Sequence, residues 1–578
     1  MAGWHAGARR LNSVVANALD LPRTAGRLGA WLRIRPSMST EAMVLLACAW
    51  FAASCNAAFF HAAGAAGLFD GANGWLVRAS LFVLVVAVHA LPLLLVATRW
   101  TVKPVLVALL LLTSVVAYFM NEYAVYIDPD MMQNVLHTDG RESGELLSPG
   151  LLLSLLLRGV LPAVVVWRTR LHGRGFARAI LVRSGALVAT AVLAAGAAFV
   201  SFQGLSALVR NHHEARYLVT PGNYLVSLWN VALADGDTRN LPRTPIGTHA
   251  TVVGRPPGAR PRLLVIVVGE TVRAQDWGLN GYARRTTPAL RQAGVVNFAH
   301  VESCGSSTEV SVPCMFSPYG RANYDRRRIR RSESLLHLLA HAGIHSAWID
   351  NQGGCKGVCA GLPYESVANA TDPGHCDAEG CLDEVMLPAL AKRIDRQAGD
   401  EVVVLHQMGA HGPSYRKRYP PRLERFTPAC ATPELARCSR EQIVNAYDNA
   451  VLYTDEFVAR VIAMLAAQPS RETALVYVSD HGESLGEGGL YLHGMPYAIA
   501  PDVQTRVPMV MWFSPGFAAS RGIDEACLAR KAARVEASHD NLFHTVLGLM
   551  QVHAPEYRRD LDLLRGCVRD TPAPVPPA

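Results

Sequence analysis

Long uninterrupted apolar runs dominate the chain up to about residue 203, and shorter apolar runs separated by polar stretches follow. Five runs in the first part lie near 42–64, 75–98, 103–121, 149–168 and 183–203. Each is long enough to be read as a membrane-crossing helix, which needs roughly 20 residues. A buried helix of a soluble core does not account for a series of this number and spacing. The first run is not a cleavable signal, because the arm 1–41 precedes it and further spans follow.

Charge between the runs predicts their orientation. The basic arm 1–41 carries Arg9, Arg10, Arg23, Arg27, Arg33 and Arg35. Arg99 and Lys103 flank the second connection, and the fourth reads WRTRLHGRGFARAILVR. By contrast, FFHAAGAAGLFDGANG, between the first two runs, has no Arg or Lys. The alternation predicts a cytoplasmic N-terminus. Five spans over 42–203 then place the remainder outside. The formal charge of +8 is accounted for in part by these topology signals. No aromatic-interleaved basic patch accompanies it, which argues against nucleic-acid binding.

Cysteine placement agrees with an outer location. Of twelve, only Cys48 and Cys55 lie in the first part. The others are Cys304, Cys314, Cys355, Cys359, Cys376, Cys381, Cys430, Cys438, Cys527 and Cys567. An even number, mostly in close pairs, fits disulfides in an oxidising compartment. Spacing does not fix connectivity, and nearest-neighbour pairing is the economical reading.

One polar segment interrupts the membrane part: NEYAVYIDPDMMQNVLHTDGRESGELLS. Asn134, Thr138 and Glu142 recur every four residues, so a continuous helix would put them on one face. Such a face is either solvated or turned to a lipid headgroup. Residues 204–260 form a bridge. FQGLSALVRNHHEARYLVTPGNYLVSLWN reads as an amphipathic interfacial segment, and RNLPRTPIGTHATVVGRPPGARP as a linker.

Residues 261–578 alternate buried-strand patterns with helical ones, which predicts an α/β domain. RLLVIVVGE ends in a carboxylate, EVVVLHQMGAHG in histidines, and TALVYVSDHGES in Asp-His. Ligands of such sheets bind beyond the carboxyl ends of the strands. Glu270, Asp480 and His481 are oxygen and nitrogen ligands of the kind Zn²⁺ accepts. Thr308, in the hydroxyl-rich loop CGSSTEVSVPC, would complete a tetrahedral set. A bound metal would lower the pKa of its hydroxyl and make it a nucleophile. If a helix begins near Thr308, its free N–H groups would favour a phosphate. His411 and His493 are left to bind a substrate phosphate, host a second metal or protonate a leaving group. His406, His300 and His375 are candidates by residue type only.

Six segments carry a resemblance that pattern alone does not give: VGETVRAQDWGLNGYARRTTP, SCGSSTEVSVPCMFS, DNQGGCKGVC, HQMGAHGPSYRKRYP, NAYDNAVLYTD and VSDHGESLGEGGLYLHGMPYAIAP. The chain resembles the phosphoethanolamine transferases that modify lipid A, members of the alkaline-phosphatase-like superfamily that include the mobile colistin-resistance enzymes. The resemblance implies a five-span inner-membrane anchor and a periplasmic, sulfatase-type catalytic domain that uses zinc. It implies Thr308 as the nucleophile that is transiently modified, Glu270, Asp480 and His481 as zinc ligands, and His411 and His493 as substrate-phosphate or second-zinc residues. It further implies Asn134, Thr138 and Glu142 as donor-headgroup residues. Phosphatidylethanolamine would be the donor and lipid A the acceptor, with a monomeric enzyme as the default. The long basic N-terminal arm departs from the family pattern. Rival readings are transfer to a core sugar or periplasmic glucan, phosphoglycerol transfer, or a membrane receptor with a disulfide-stapled outer domain. A receptor would not need Glu270, Thr308, Asp480 and His481 together.

Overall fold

The computed structural model describes residues 36–138, 140–236, 242–254, 257–372, 374–377, 380–396 and 399–569. Most of the N-terminal arm therefore lies outside the described residues. Two compact units emerge. One comprises the described residues up to Cys55 together with Phe69–Ser114 and Leu155–Gly204. The other comprises Asn56–Leu68, Val115–Ser154 and the described chain from Leu205 onward.

Within the membrane part, α1 (Thr40–Ser54) and α2 (Ala57–Ala65) form a pair bent by 53°. The apolar helices α3 (Gly74–Val96), α4 (Val102–Glu122), α6 (Pro149–Arg168) and α7 (Phe176–Val200) are each long enough to span a bilayer. Between α4 and α6 lies the short helix α5 (Pro129–His137). Counting the bent pair as one, these are the five expected spans.

Two details differ from the sequence reading. The first span breaks at Asn56, whose side-chain amide exchanges two hydrogen bonds with the backbone of Thr220, at 2.8 and 3.0 Å. The last begins at Phe176 rather than near 183, because Arg178 and Arg183 are accommodated in the helix. Long basic side chains can extend to the polar boundary while their stems stay on an apolar helix. Trp75, Trp100 and Trp167 are exposed at helix ends, where amphipathic rings suit the membrane–water boundary.

The bridge is helical over Phe202–Asn211 and Gly222–Gly236. Phe202, Val209, Val226 and Trp229 are exposed on it, as an interfacial segment requires.

The α/β domain is built on an eight-stranded sheet. Its strands are β1 (Arg262–Gly269), β2 (Val296–Glu302), β3 (His345–Asp350), β4 (Tyr364–Ser366), β5 (Glu401–His406), β6 (Glu472–Ser479), β7 (Arg506–Phe513) and β8 (Glu536–Ser538). They are ordered β8-β2-β7-β6-β1-β5-β3-β4. β6, β1, β5, β3 and β4 are parallel, and β7 pairs antiparallel with both β6 and β2. β1 and β6 are buried along their whole length, which is why both read as continuous apolar runs. Alternate residues of β1 enter opposite cores: Leu264, Ile266 and Val268 one, Leu263, Val265 and Val267 the other.

Five disulfides join the cysteines in the nearest-neighbour pattern: Cys304–Cys314, Cys355–Cys359, Cys376–Cys381, Cys430–Cys438 and Cys527–Cys567. Cys48 and Cys55 are free and buried.

Candidate active site

Three central strands deliver the site, as their sequences predict. Glu270 follows β1, Asp480 and His481 follow β6, and the loop carrying His411 follows β5. The β5 loop turns tightly over β1. Gly409 has φ +54, and a Cβ there would lie 2.6 Å from the Glu270 carbonyl oxygen. Thr271, next to Glu270, has φ 56, a strained value for a β-branched residue. Its conformation is held from two sides. Its N–H donates to Asp480 Oδ1 at 3.2 Å, and its carbonyl accepts from Tyr447 Oη at 2.6 Å. Backbone strain of this kind persists where surrounding bonds fix it.

The nucleophile candidate arrives from across the sheet. Helix α8 (Thr308–Met315) begins at Thr308, with Ser307 at the N-cap. The Cys304–Cys314 disulfide closes the loop onto this helix. His539 ties the loop to β6: Nδ1 accepts from Cys304 N–H at 3.0 Å, and Nε2 donates to the Ser479 carbonyl at 2.9 Å. Burial pushes this imidazole down to about 4. Ser306 adds two bonds, from Oγ to the Met495 carbonyl and from Gly494 N–H to its own carbonyl.

Four side chains converge there. Thr308 Oγ1 lies 3.0 Å from Glu270 Oε2 and 3.3 Å from His481 Nε2. His481 Nε2 lies 3.3 Å from Glu270 Oε1 and 3.5 Å from Asp480 Oδ2. All four residues are buried. Glu270 Oε1 and Asp480 Oδ2 accept no hydrogen bond. The His481 Nδ1–H donates to the Gly482 carbonyl at 2.9 Å, so Nε2 turns its lone pair to the shared centre. A tetrahedral zinc with bonds of about 2.0–2.2 Å sets its ligands roughly 3.3–3.6 Å apart. The orphaned oxygens, the fixed tautomer and these spacings fit such an ion.

The electrostatics agree. Burial would raise the Glu270 carboxyl, but the electrostatic pull of His481 alongside, helped by His411 and His493, holds it well below the usual range. Burial and the neighbouring Glu270 charge push Asp480 up. His481 is pushed up against its burial by Asp480 and Glu270. An acidic centre that draws positive charge is what a cation site requires.

His493 stands beside His481, with ring centres 4.4 Å apart, and His411 stands 5.3 Å from His493. Glu270, His481 and His493 can each bring a ligand atom within 4.8 Å of the others, a candidate metal cluster consistent with a single zinc site. Glu483 Oε2 lies 2.7 Å from His493 Nδ1, and Glu483 Oε1 accepts from Tyr415 Oη at 2.6 Å. Arg418 donates to the His411 carbonyl and pairs with Glu145.

His406, His300 and His375 contribute nothing to this cluster. His406 pairs with Asp350 at 2.8 Å, and His375 with Asp372 at 2.9 Å. Glu483, Tyr415 and His539 escaped the sequence reading. Only Glu483, in SDHGES, sat close enough to the recognised pair to be noticed.

The polar strip does not form one helix face. α5 ends at His137, and Thr138 has extended dihedrals while its Oγ1 donates to the Asn134 carbonyl at 2.8 Å. A separate short helix covers Gly140–Glu145. The Thr-Asp-Gly sequence favours this break, since each residue supports a turn. Asn134 itself reaches the site's edge: its Nδ2 is 3.9 Å from where a Cβ of Gly494, next to His493, would lie. The Glu142 side chain lies outside the described residues.

Residues 262–552 match the Sulfatase family, and residues 85–235 match phosphoethanolamine transferases EptA/EptB. The chain is 38% identical over 541 residues to phosphoethanolamine transferase EptA of Escherichia coli (strain K12), covering 93% of this chain and 98% of that protein. The chain belongs to the EptA family of phosphoethanolamine transferases. It is also 36% identical over 500 residues to the phosphatidylethanolamine transferase Mcr-1 of Escherichia coli, covering 82% and 90% of the two chains. The integral membrane lipooligosaccharide phosphoethanolamine transferase A from Neisseria meningitidis superposes with a TM-score of 0.89 at 37% identity, over 92% of this chain and all of that one. The protein is thus a membrane-anchored enzyme with a periplasmic α/β domain, as its apolar and cysteine patterns predict.

Proposed function

We propose that the enzyme transfers phosphoethanolamine from phosphatidylethanolamine to a phosphate of lipid A through a covalent adduct on Thr308. Residues 42–203 anchor it, 204–260 form the bridge, and 261–578 carry the chemistry. The observation that carries this reading is the convergence of Thr308 Oγ1 with Glu270, Asp480 and His481 at one buried point.

Those four residues would hold zinc, which lowers the pKa of the threonine hydroxyl and neutralises charge on the phosphoryl oxygens. Thr308 Oγ1 then forms a bond to the donor phosphorus while the bond to the diacylglycerol oxygen breaks. The departing oxygen needs a proton. Glu483 accepts from His493 Nδ1, which leaves Nε2 free to take the Thr308 proton and hand it on. Burial pushes the His493 imidazole down, against the pull of Glu483, which favours the unprotonated form that can take a proton. His411 meets the substrate phosphate beside it. In the second half, a phosphate oxygen of lipid A attacks the adduct's phosphorus and the Thr308 oxygen leaves, taking the proton that the attacking phosphate gives up. Asn134 meets the donor headgroup, and Thr138 and Glu142 belong to the same segment. A second reading, His493 as a metal ligand, is favoured by its place in the cluster with Glu270 and His481.

The product places an ammonium beside the phosphate, so the surface attracts cationic peptides such as polymyxins less strongly. Mass spectrometry of lipid A from cells expressing the wild type or Thr308→Ala tests the acceptor. Phosphoethanolamine on lipid A in the wild type alone is expected. Unmodified lipid A together with a modified core sugar or glucan would overturn it.

A further inference from the structure

Thr308 and Glu309 open α8 side by side, yet they serve different surroundings. The Glu309 carboxylate accepts from His137 Nδ1 at 2.9 Å and from Arg330 Nη2 at 2.7 Å, and lies 3.4 Å from Lys356 Nζ. It forms part of the wall of a cavity of about 570 Å³. That is the size of a small-molecule site.

Four cations line the cavity, Arg243, Arg330, Arg331 and Lys356, against two carboxylates, Glu309 and Glu333. Both acids are engaged. Glu309 already meets Arg330, Lys356 and His137, and Glu333 Oε2 accepts from His341 Nε2 at 2.7 Å and from Ile246 N–H at 3.2 Å. Among the described residues, no ion pair within 4.0 Å joins Arg243 or Arg331 to a carboxylate. Arg243 is half-buried, and a Cβ on Gly357 would lie 3.0 Å from its Nη2. Burial and the adjacent Arg330 charge push it below the usual guanidinium range. Like charges gathered in a partly desolvated cavity are costly until an anion joins them.

The donor does not supply that anion. Phosphatidylethanolamine has one phosphate, whose phosphorus must reach Thr308, and its ammonium would be repelled by the cavity. An acceptor bearing a second anionic group has one to spare.

We infer that this cavity is an acceptor subsite, binding a sugar phosphate of the lipid acceptor other than the one that reacts. The inference rests on the transferase reading given above. Guanidinium groups suit it, because they bind phosphate oxygens through paired N–H donors.

The test uses purified full-length protein with zinc, phosphatidylethanolamine and two acceptors: lipid A with two phosphates, and lipid A with one. The wild type should show kcat/KM about tenfold or more higher for the two-phosphate acceptor, the scale of one charge-assisted hydrogen bond. Arg243→Gln should bring that ratio close to unity, and Arg243→Lys, which keeps the charge without the paired donors, should keep part of it. The Thr308 adduct, read by mass spectrometry in each preparation, reports the donor half separately. A wild type indifferent to the second phosphate, or an Arg243→Gln variant that keeps the full preference, overturns the subsite. Loss of the adduct in Arg243→Gln also overturns it, because the arginine would then serve the donor step or the fold. A wild type that forms no adduct at all is a different failure, that of the transferase reading.

Discussion

Thr308 Oγ1 lies 3.0 Å from Glu270 Oε2, although 38 residues separate them in the chain and they come from opposite sides of the site. The carboxylate end of β1 and the first turn of α8 are thereby brought to one point. Thr308→Ala should lower transfer by about a thousandfold or more, since it removes the hydroxyl that meets Glu270 and His481. Thr308→Ser should retain part of the activity. Rates of diacylglycerol release by the two variants check this.

Glu270 and Asp480 each point an unbonded oxygen at the shared centre. Glu270→Gln or Asp480→Asn should lower zinc affinity by more than about 100-fold, a larger loss than substitutions behind a ligand produce. Metal content after dialysis against a weak chelator reads the effect directly, apart from turnover. Little change in content for both variants would exclude these carboxylates as ligands.

Glu483 touches His493 but not the converging centre. Glu483→Gln keeps the size of the side chain and weakens its hold on Nδ1. Activity should fall about 10–100-fold. The pH–rate profile should shift as well, because His493 would no longer be fixed in one tautomer. A variant that loses stability but keeps the profile would give Glu483 a purely structural role.

Cys304–Cys314 closes a short loop around Thr308. Replacing both cysteines by serine should cost about 2–4 kcal/mol of stability. Rate should fall more than stability explains, because small misplacement of a nucleophile is expensive. Adduct formation at a temperature where the variant remains folded separates the two effects.

His539 titrates near 4 in the folded protein, against about 6.5 for an unperturbed histidine. The folded state therefore holds fewer protons than the unfolded state between those values, and stability falls as pH drops from about 6.5 toward 4. The contribution reaches about 3 kcal/mol at the acid end. Melting temperatures in detergent should decline over this window, and His539→Gln should flatten the decline.

Much of this architecture was legible in the sequence for physical reasons. β1 and β6 are buried on both faces, so their middles had to be apolar, and Glu270 and Asp480 just after them stood out as charges. The disulfides join cysteines near in sequence, with Cys527–Cys567 the widest pair, so proximity guided the pairing. What escaped was set by contacts across the chain. The break at Asn56 depends on Thr220, and the hold on His493 depends on Tyr415 acting through Glu483. His539 lies more than 50 residues from its partner Ser479 and carries no local signal. The shared helix face of Asn134, Thr138 and Glu142 did not form, because their spacing is helical while α5 ends at His137 and Thr138 is extended.

The most direct test of the account is peptide mass spectrometry on the purified, zinc-loaded full-length enzyme after incubation with fluorescent phosphatidylethanolamine and no acceptor. The account predicts release of diacylglycerol and a phosphoethanolamine adduct on Thr308, both absent in Thr308→Ala. Zinc-loaded wild type that releases no diacylglycerol and carries no adduct, or an adduct on another residue, would contradict it.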